Sequence, residues 1–180
     1  VEGENFANTV TPNKMKYFLN WTLQNLWKVN KKKNISSECY DFYVIKTQKR
    51  IKEMLQGKND NEIKINDTVI PSVNDMLDMI DKEWLCDGIC STIHGDLILD
   101  NVIETKDDFT LIDWRQDFAN KLDIGDVYYD LAKINHNLVF NHKLVESKSY
   151  TLEKRGDDII CDILCSKNLI DCKEILKNFI

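Results

Sequence analysis

The stretch from Ile93 to Trp114, I-H-G-D-L-I-L-D-N-V-I-E-T-K-D-D-F-T-L-I-D-W, constrains this 180-residue chain more than any other. His94, Asp96 and Asn101 stand in the pattern H-x-D-x-x-x-x-N, and the apolar pair Val102-Ile103 follows at once. A polar turn from Thr105 to Asp108 leads to a second apolar run, Phe109 to Ile112, which ends on Asp113. Two short apolar runs joined by such a turn predict a β-hairpin. Asn101 then leads into one strand and Asp113 closes the other, so both side chains come to the same end. That end holds an amide oxygen and two carboxylates, Asp96 and Asp113. Hard cations such as Mg²⁺ take oxygen ligands of this kind and complete their shell with substrate phosphates and water.

The ordered motifs H-G-D-L-I-L-D-N, L-I-D-W and G-D-V-Y-Y-D-L-A resemble the catalytic centre of the aminoglycoside phosphotransferase and choline kinase family. That family shares the protein-kinase-like fold. The resemblance implies an α+β architecture: a mostly helical C-terminal lobe with short β-hairpins carrying the catalytic loop and the metal-binding aspartate. It implies an ATP- and Mg²⁺-dependent kinase that moves the γ-phosphate to a hydroxyl of a small molecule, an amino alcohol, a sugar or an aminoglycoside. Asp96 is then the base and His94 braces its loop. Asn101 and Asp113 hold the metal and, through it, the nucleotide, and Asp126 ties its helix to the catalytic loop. The general chemistry agrees, since phosphoryl transfer asks a protein mainly to position groups and neutralise charge.

The resemblance spans about residues 1–145. Residues 1–10 are expected to be a connector after the hinge between lobes, and residues 151–180 a helical tail. A phosphate-covering glycine-rich loop and a strand-borne lysine do not occur, so an N-terminal lobe is expected in a longer parent chain. The whole of 1–180 then forms one domain. Two departures bear on the acceptor. Trp114 is followed by Arg115 where choline-kinase-type members often carry an acid, which favours an anionic or sugar-like acceptor, with Asp117 in the next loop as a second substrate contact. Ile98 stands where the family frequently has His.

Composition excludes other classes. A formal net charge of −6 argues against general nucleic-acid binding, which depends on neutralising phosphates with Lys and Arg. No apolar run approaches the roughly 20 residues that cross a bilayer, and residues 1–4 contain no secretory signal features. A cytoplasmic location follows as the expectation. The six cysteines lack the tight C-x2-C spacing of structural zinc sites and read as buried thiols.

Along the rest of the chain, Thr11-Pro12 marks a helix start, with Met15, Phe18, Leu19, Thr22, Leu23 and Leu26 on one face. A second helix is predicted over 37–56, stopped by Gly57. A small hairpin is predicted around Asn66-Asp67. A third helix is capped by Ser72 with Asp75 and turns Met76, Leu77, Ile80 and Trp84 inward. A fourth starts at Gly125-Asp126, and Asp130 on it is expected to be structural. Asp96 could instead satisfy backbone N–H groups in a turn, but that leaves its spacing to Asn101 and Asp113 unexplained. Competing with the enzyme is a degenerate kinase-like lobe that binds nucleotide or a partner without catalysis.

Overall fold

The structure, a computed structural model, describes residues 2–106, 108–156 and 158–180. It is a mixed α+β arrangement with small sheets. Thr11 caps α2 (Pro12–Asn25) by accepting from the Lys14 amide, and proline fills the first helical position, where no N–H is needed. Met15, Phe18, Leu19 and Thr22 form its buried stripe. Leu23, expected on that face, is half-exposed. Phe109 meets Phe6 and Phe18 edge-on with centroids 5.2 and 5.0 Å apart, and α9 (Lys167–Phe179) closes over α2 and the helix α7 (Val127–Val139).

The predicted hairpin is present as β5 (Val102–Glu104) and β6 (Phe109–Leu111), with Val102 opposite Leu111. Asp107, in its turn, lies outside the described residues, as does Val1 of the expected connector. The rest of that connector is built into the fold: β1 (Glu4–Asn5) pairs with β5, and α1 (Phe6–Thr9) buries Phe6 completely. Fully burying a phenylalanine stabilises by about 1.5–3 kcal/mol, so Phe6 anchors the segment 4–9 to the core.

The second predicted helix spans α3 (Ser36–Cys39), a π-helical stretch Tyr40–Ile45 and α4 (Lys46–Leu55), and ends at Gly57 with φ +73°. Its first half and Phe118 form a second cluster with Cys39, Cys86 and Cys90, in which the Phe42 and Phe118 rings stack at 4.3 Å. Ser72 caps α5 (Val73–Asp78), accepting from the Asp75 amide and donating to its carboxylate at 2.6 Å. The inward face expected there is corrected: Met76, Ile80 and Trp84 are exposed, Trp84 by 76%. Asp81 starts a new four-residue helix, α6 (Lys82–Leu85), so the apolar stripe is broken before it forms a continuous face.

The predicted hairpin at Asn66-Asp67 forms as β2 (Ile63–Ile65) and β3 (Thr68–Ile70), with both turn residues at positive φ. It belongs to a larger sheet. The tail expected to be helical from 151 is instead the hairpin β8 (Tyr150–Arg155) and β9 (Asp158–Ile163), with helix only from Lys167. β9 runs parallel to β2, and the Asn66 side chain extends the pairing by bonding both Cys161 N (2.9 Å) and Cys161 O (2.8 Å). Among the described residues no helix is long and apolar enough to cross a membrane.

Candidate active site

The loop from His94 to Asn101 is held by alternation. Leu97 and Leu99 are fully buried in the main core, which turns Asp96, Ile98 and Asp100 toward the surface. Each buried leucine stabilises by about 1.5–3 kcal/mol, enough to fix which way the polar residues face. Gly95 adopts φ +81°, and a Cβ there would lie 2.6 Å from the Arg115 Cβ, so glycine answers both demands.

His94 has its tautomer set by its partners. Nε2 lies 2.8 Å from the Ile112 carbonyl, which only accepts, and Nδ1 accepts the Asp96 N–H at 3.2 Å. The imidazole is therefore neutral with the proton on Nε2. Burial pushes its pKa down, against the pull of the Ile112 carbonyl and of Asp130 and Asp96. His94 braces the loop, and Trp114 covers it with ring centroids 4.7 Å apart.

The helix α7 grips this loop along one face. The fully buried Asp130 accepts the His94 N–H (2.8 Å) and the Gly95 N–H (2.7 Å), and also the Trp27 indole N–H (3.0 Å) from beyond α2. Lys133, one turn on, reaches Asp96 Oδ1 at 2.6 Å. Asn137 accepts the Leu99 N–H at 3.0 Å and donates to Asp100 Oδ2 at 3.0 Å. Spacings of three and four residues put all three on one side of a helix. Asp126 caps α7 through Tyr128 N, accepts Ile89 N at 3.0 Å, and receives the Tyr43 hydroxyl at 2.8 Å. The direct tie to the His94–Asn101 loop expected of Asp126 belongs instead to Asp130, one turn deeper. Lys133 and Asn137 were not anticipated. The signal was there in D-x-x-K-x-x-x-N, polar residues recurring with the apolar face of Leu131, Ile134 and Leu138.

At the mouth of the hairpin, Ile112 N donates to Asn101 O at 3.0 Å, so Asp113 is the next residue beyond Asn101's partner. Asn101 donates Nδ2 to the Asp96 carbonyl at 2.9 Å, and the same nitrogen lies 3.5 Å from Asp96 Oδ2. A carbonyl can only accept, which fixes the amide orientation and leaves Asn101 Oδ1 without a protein donor among the described residues. Asp113 is exposed at φ +56°, a region that non-glycine residues seldom adopt. Its carboxylate has no hydrogen-bond or ion-pair partner among the described residues. No three His, Cys, Asp or Glu side chains converge as metal ligands among them either. The donor set is thus one amide oxygen and one free carboxylate, which suits Mg²⁺ completed by phosphates and water.

Arg115 is committed inward. It donates to Tyr129 OH at 3.0 Å and to the Asp117 carbonyl at 3.1 Å, and lies over the Phe42 and Tyr129 rings at 4.9 and 5.4 Å. Asp117 accepts the Asn120 N–H at 2.8 Å, an Asx-type turn. Both hold the loop that follows the hairpin. No family model, curated protein or solved structure matches the chain.

Proposed function

We propose that the chain is the catalytic lobe of an ATP- and Mg²⁺-dependent small-molecule phosphotransferase with a protein-kinase-like fold, working in the cytoplasm. The observation that supports this is that the Ile112 N–H bonds Asn101 O, which brings Asp113 beside Asn101 at one end of the β5–β6 hairpin, while Asn101 Nδ2 bonds the Asp96 carbonyl. The acceptor hydroxyl gives its proton to Asp96 Oδ2 while its oxygen bonds to the γ-phosphorus, and the bond to the β-phosphate oxygen breaks to release ADP. Asn101 Oδ1 and the Asp113 carboxylate would hold magnesium, which would supply charge neutralisation for the phosphates. Neutral His94 takes no proton in this scheme. It keeps the Asp96 backbone in place through Nδ1. An amino alcohol, sugar or aminoglycoside supplies the hydroxyl.

A ligand that binds only the folded state raises its stability by mass action, by about 2.7 kcal/mol at a hundredfold excess over Kd. The unfolding midpoint of the chain should therefore rise with Mg²⁺ and ATP together, and less with either alone. Asp113→Ala should abolish the joint effect. A midpoint unmoved by Mg²⁺-ATP in the folded protein would contradict the proposal.

A further inference from the structure

The acidic character of the site raises a physical problem. Asp96, Asp100 and Asp113 stand at this end of the hairpin, and no lysine or arginine lies between His94 and Asp100 in the loop. Neighbouring carboxylates repel one another, so the Asp96 side chain needs a partner to hold one orientation. Neutral His94 offers no charge, and the Arg115 guanidinium is turned toward Tyr129 and the loop carbonyls. Lys14 is paired with Glu104 on the far side of the hairpin.

We infer that Lys133 is a positioning residue for the phosphotransfer reaction, fixing the Asp96 carboxylate by one oxygen. The inference rests on the phosphotransferase reading of the site. Lys133 Nζ sits 2.6 Å from Asp96 Oδ1, with both side chains only partly exposed. Its place relative to the loop is set on both sides, because Asp130 grips His94 and Gly95 and Asn137 grips Leu99. The lysine thus stands on a rigid element, over the Tyr129 ring at 5.9 Å, and not on a mobile loop. With Oδ1 engaged, rotation of the carboxylate is restrained and Oδ2 is the oxygen presented to an acceptor. A misplacement of about 1 Å at a reacting group costs on the order of 100-fold in rate. Nothing in this arrangement touches the Asn101 and Asp113 oxygens, so nucleotide affinity should depend on Lys133 much less than turnover does.

The test is a double-mutant cycle on the chain, following ADP release from Mg²⁺-ATP with ethanolamine, glucose and kanamycin as acceptor probes. Lys133→Met is expected to lower kcat about 10–100-fold with KM for ATP nearly unchanged, and Lys133→Arg to recover most of the loss. In the Asp96→Asn background, Lys133→Met should add no further loss, because residues that act as a unit are not additive. Lys133→Gln, which keeps the length and a donor, serves as the second neutral variant if the methionine variant unfolds. Parent-like kcat in a folded neutral variant, or losses that multiply with Asp96→Asn, would overturn the role of Lys133 alone. Absence of turnover by the parent with all three probes, or full turnover by Asp96→Asn, would overturn the phosphotransferase reading and this inference with it.

Discussion

Asp130→Asn is the substitution whose cost can be worked most closely from the structure. The carboxylate is fully buried and accepts three N–H donors: Oδ2 takes His94 N and Trp27 Nε1, and Oδ1 takes Gly95 N. An asparagine is nearly isosteric but has one acceptor oxygen. Placed at its best, it keeps the two bonds at Oδ2 and points an NH2 group at the Gly95 N–H. One charge-assisted bond is lost and one buried donor is left opposed, which together cost about 2–4 kcal/mol. That is a large share of a typical domain stability of about 5–15 kcal/mol. With a urea m-value of about 2 kcal/mol/M, the unfolding midpoint should fall by about 1–2 M with m unchanged. The pH dependence has a definite sign. Burial pushes the Asp130 carboxyl up, and its N–H donors only partly pull it back. A carboxyl raised in the fold contributes its full stability below the unfolded value of about 3.9 and loses it as pH rises through the folded value. Asparagine does not titrate, so this pH dependence should be absent from the variant. A midpoint within about 0.2 M of the parent at pH 7 would refute the idea that Asp130 holds the loop.

Three further outcomes follow from the same geometry. His94 is held neutral with its pKa pushed down, so the stability it confers is present above about 6.5 and lost as pH falls through the folded value; thermal melts between pH 7.5 and 5 should show the loss, and His94→Gln should flatten that slope. A His94→Gln slope equal to the parent's would contradict the assignment. Gly95→Ala should destabilise by about 1–3 kcal/mol, from a left-handed backbone and a close approach to Arg115, read by urea denaturation; a neutral effect would mean that the loop is not confined as described. Burial raises the thiols of Cys86 and Cys90, Cys39 is pushed up to about 12 and Cys172 to about 11, so in native protein at pH 8 only the partly exposed Cys161 and Cys165 should react quickly with a thiol reagent. Rapid reaction of a third thiol would count against the packing of the second cluster.

The sequence was most informative where the determining interactions are local. The β5–β6 hairpin, the Thr11 and Ser72 caps and the start of α7 each depend on a few neighbouring residues, and all are found. The four-stranded sheet was illegible because β2 and β9 meet across about 95 residues, and nothing in Ile63–Ile65 names Asp158–Ile163 as its partner. The hairpin β8–β9 was misjudged as helix because every residue of β8 is exposed, so the alternation that marks a half-buried strand does not develop. Trp84 and Met76 suggested a core face, but α5 and α6 are too short and too interrupted to carry one. In the site, the spacing of His94, Asp96, Asn101 and Asp113 was readable, while Lys133 was not. Its partner is 37 residues away in sequence, and only the packing of α7 against the loop brings the two together.

Transfer of the terminal phosphoryl group from radiolabelled Mg²⁺-ATP to a hydroxyl acceptor tests the function most directly. Label should appear in one of the amino alcohol, sugar or aminoglycoside probes, require Mg²⁺, and fall by several orders of magnitude in a folded Asp96→Asn variant. Transfer that persists undiminished without the Asp96 carboxylate, or an absence of transfer to every probe by the folded parent, would contradict it.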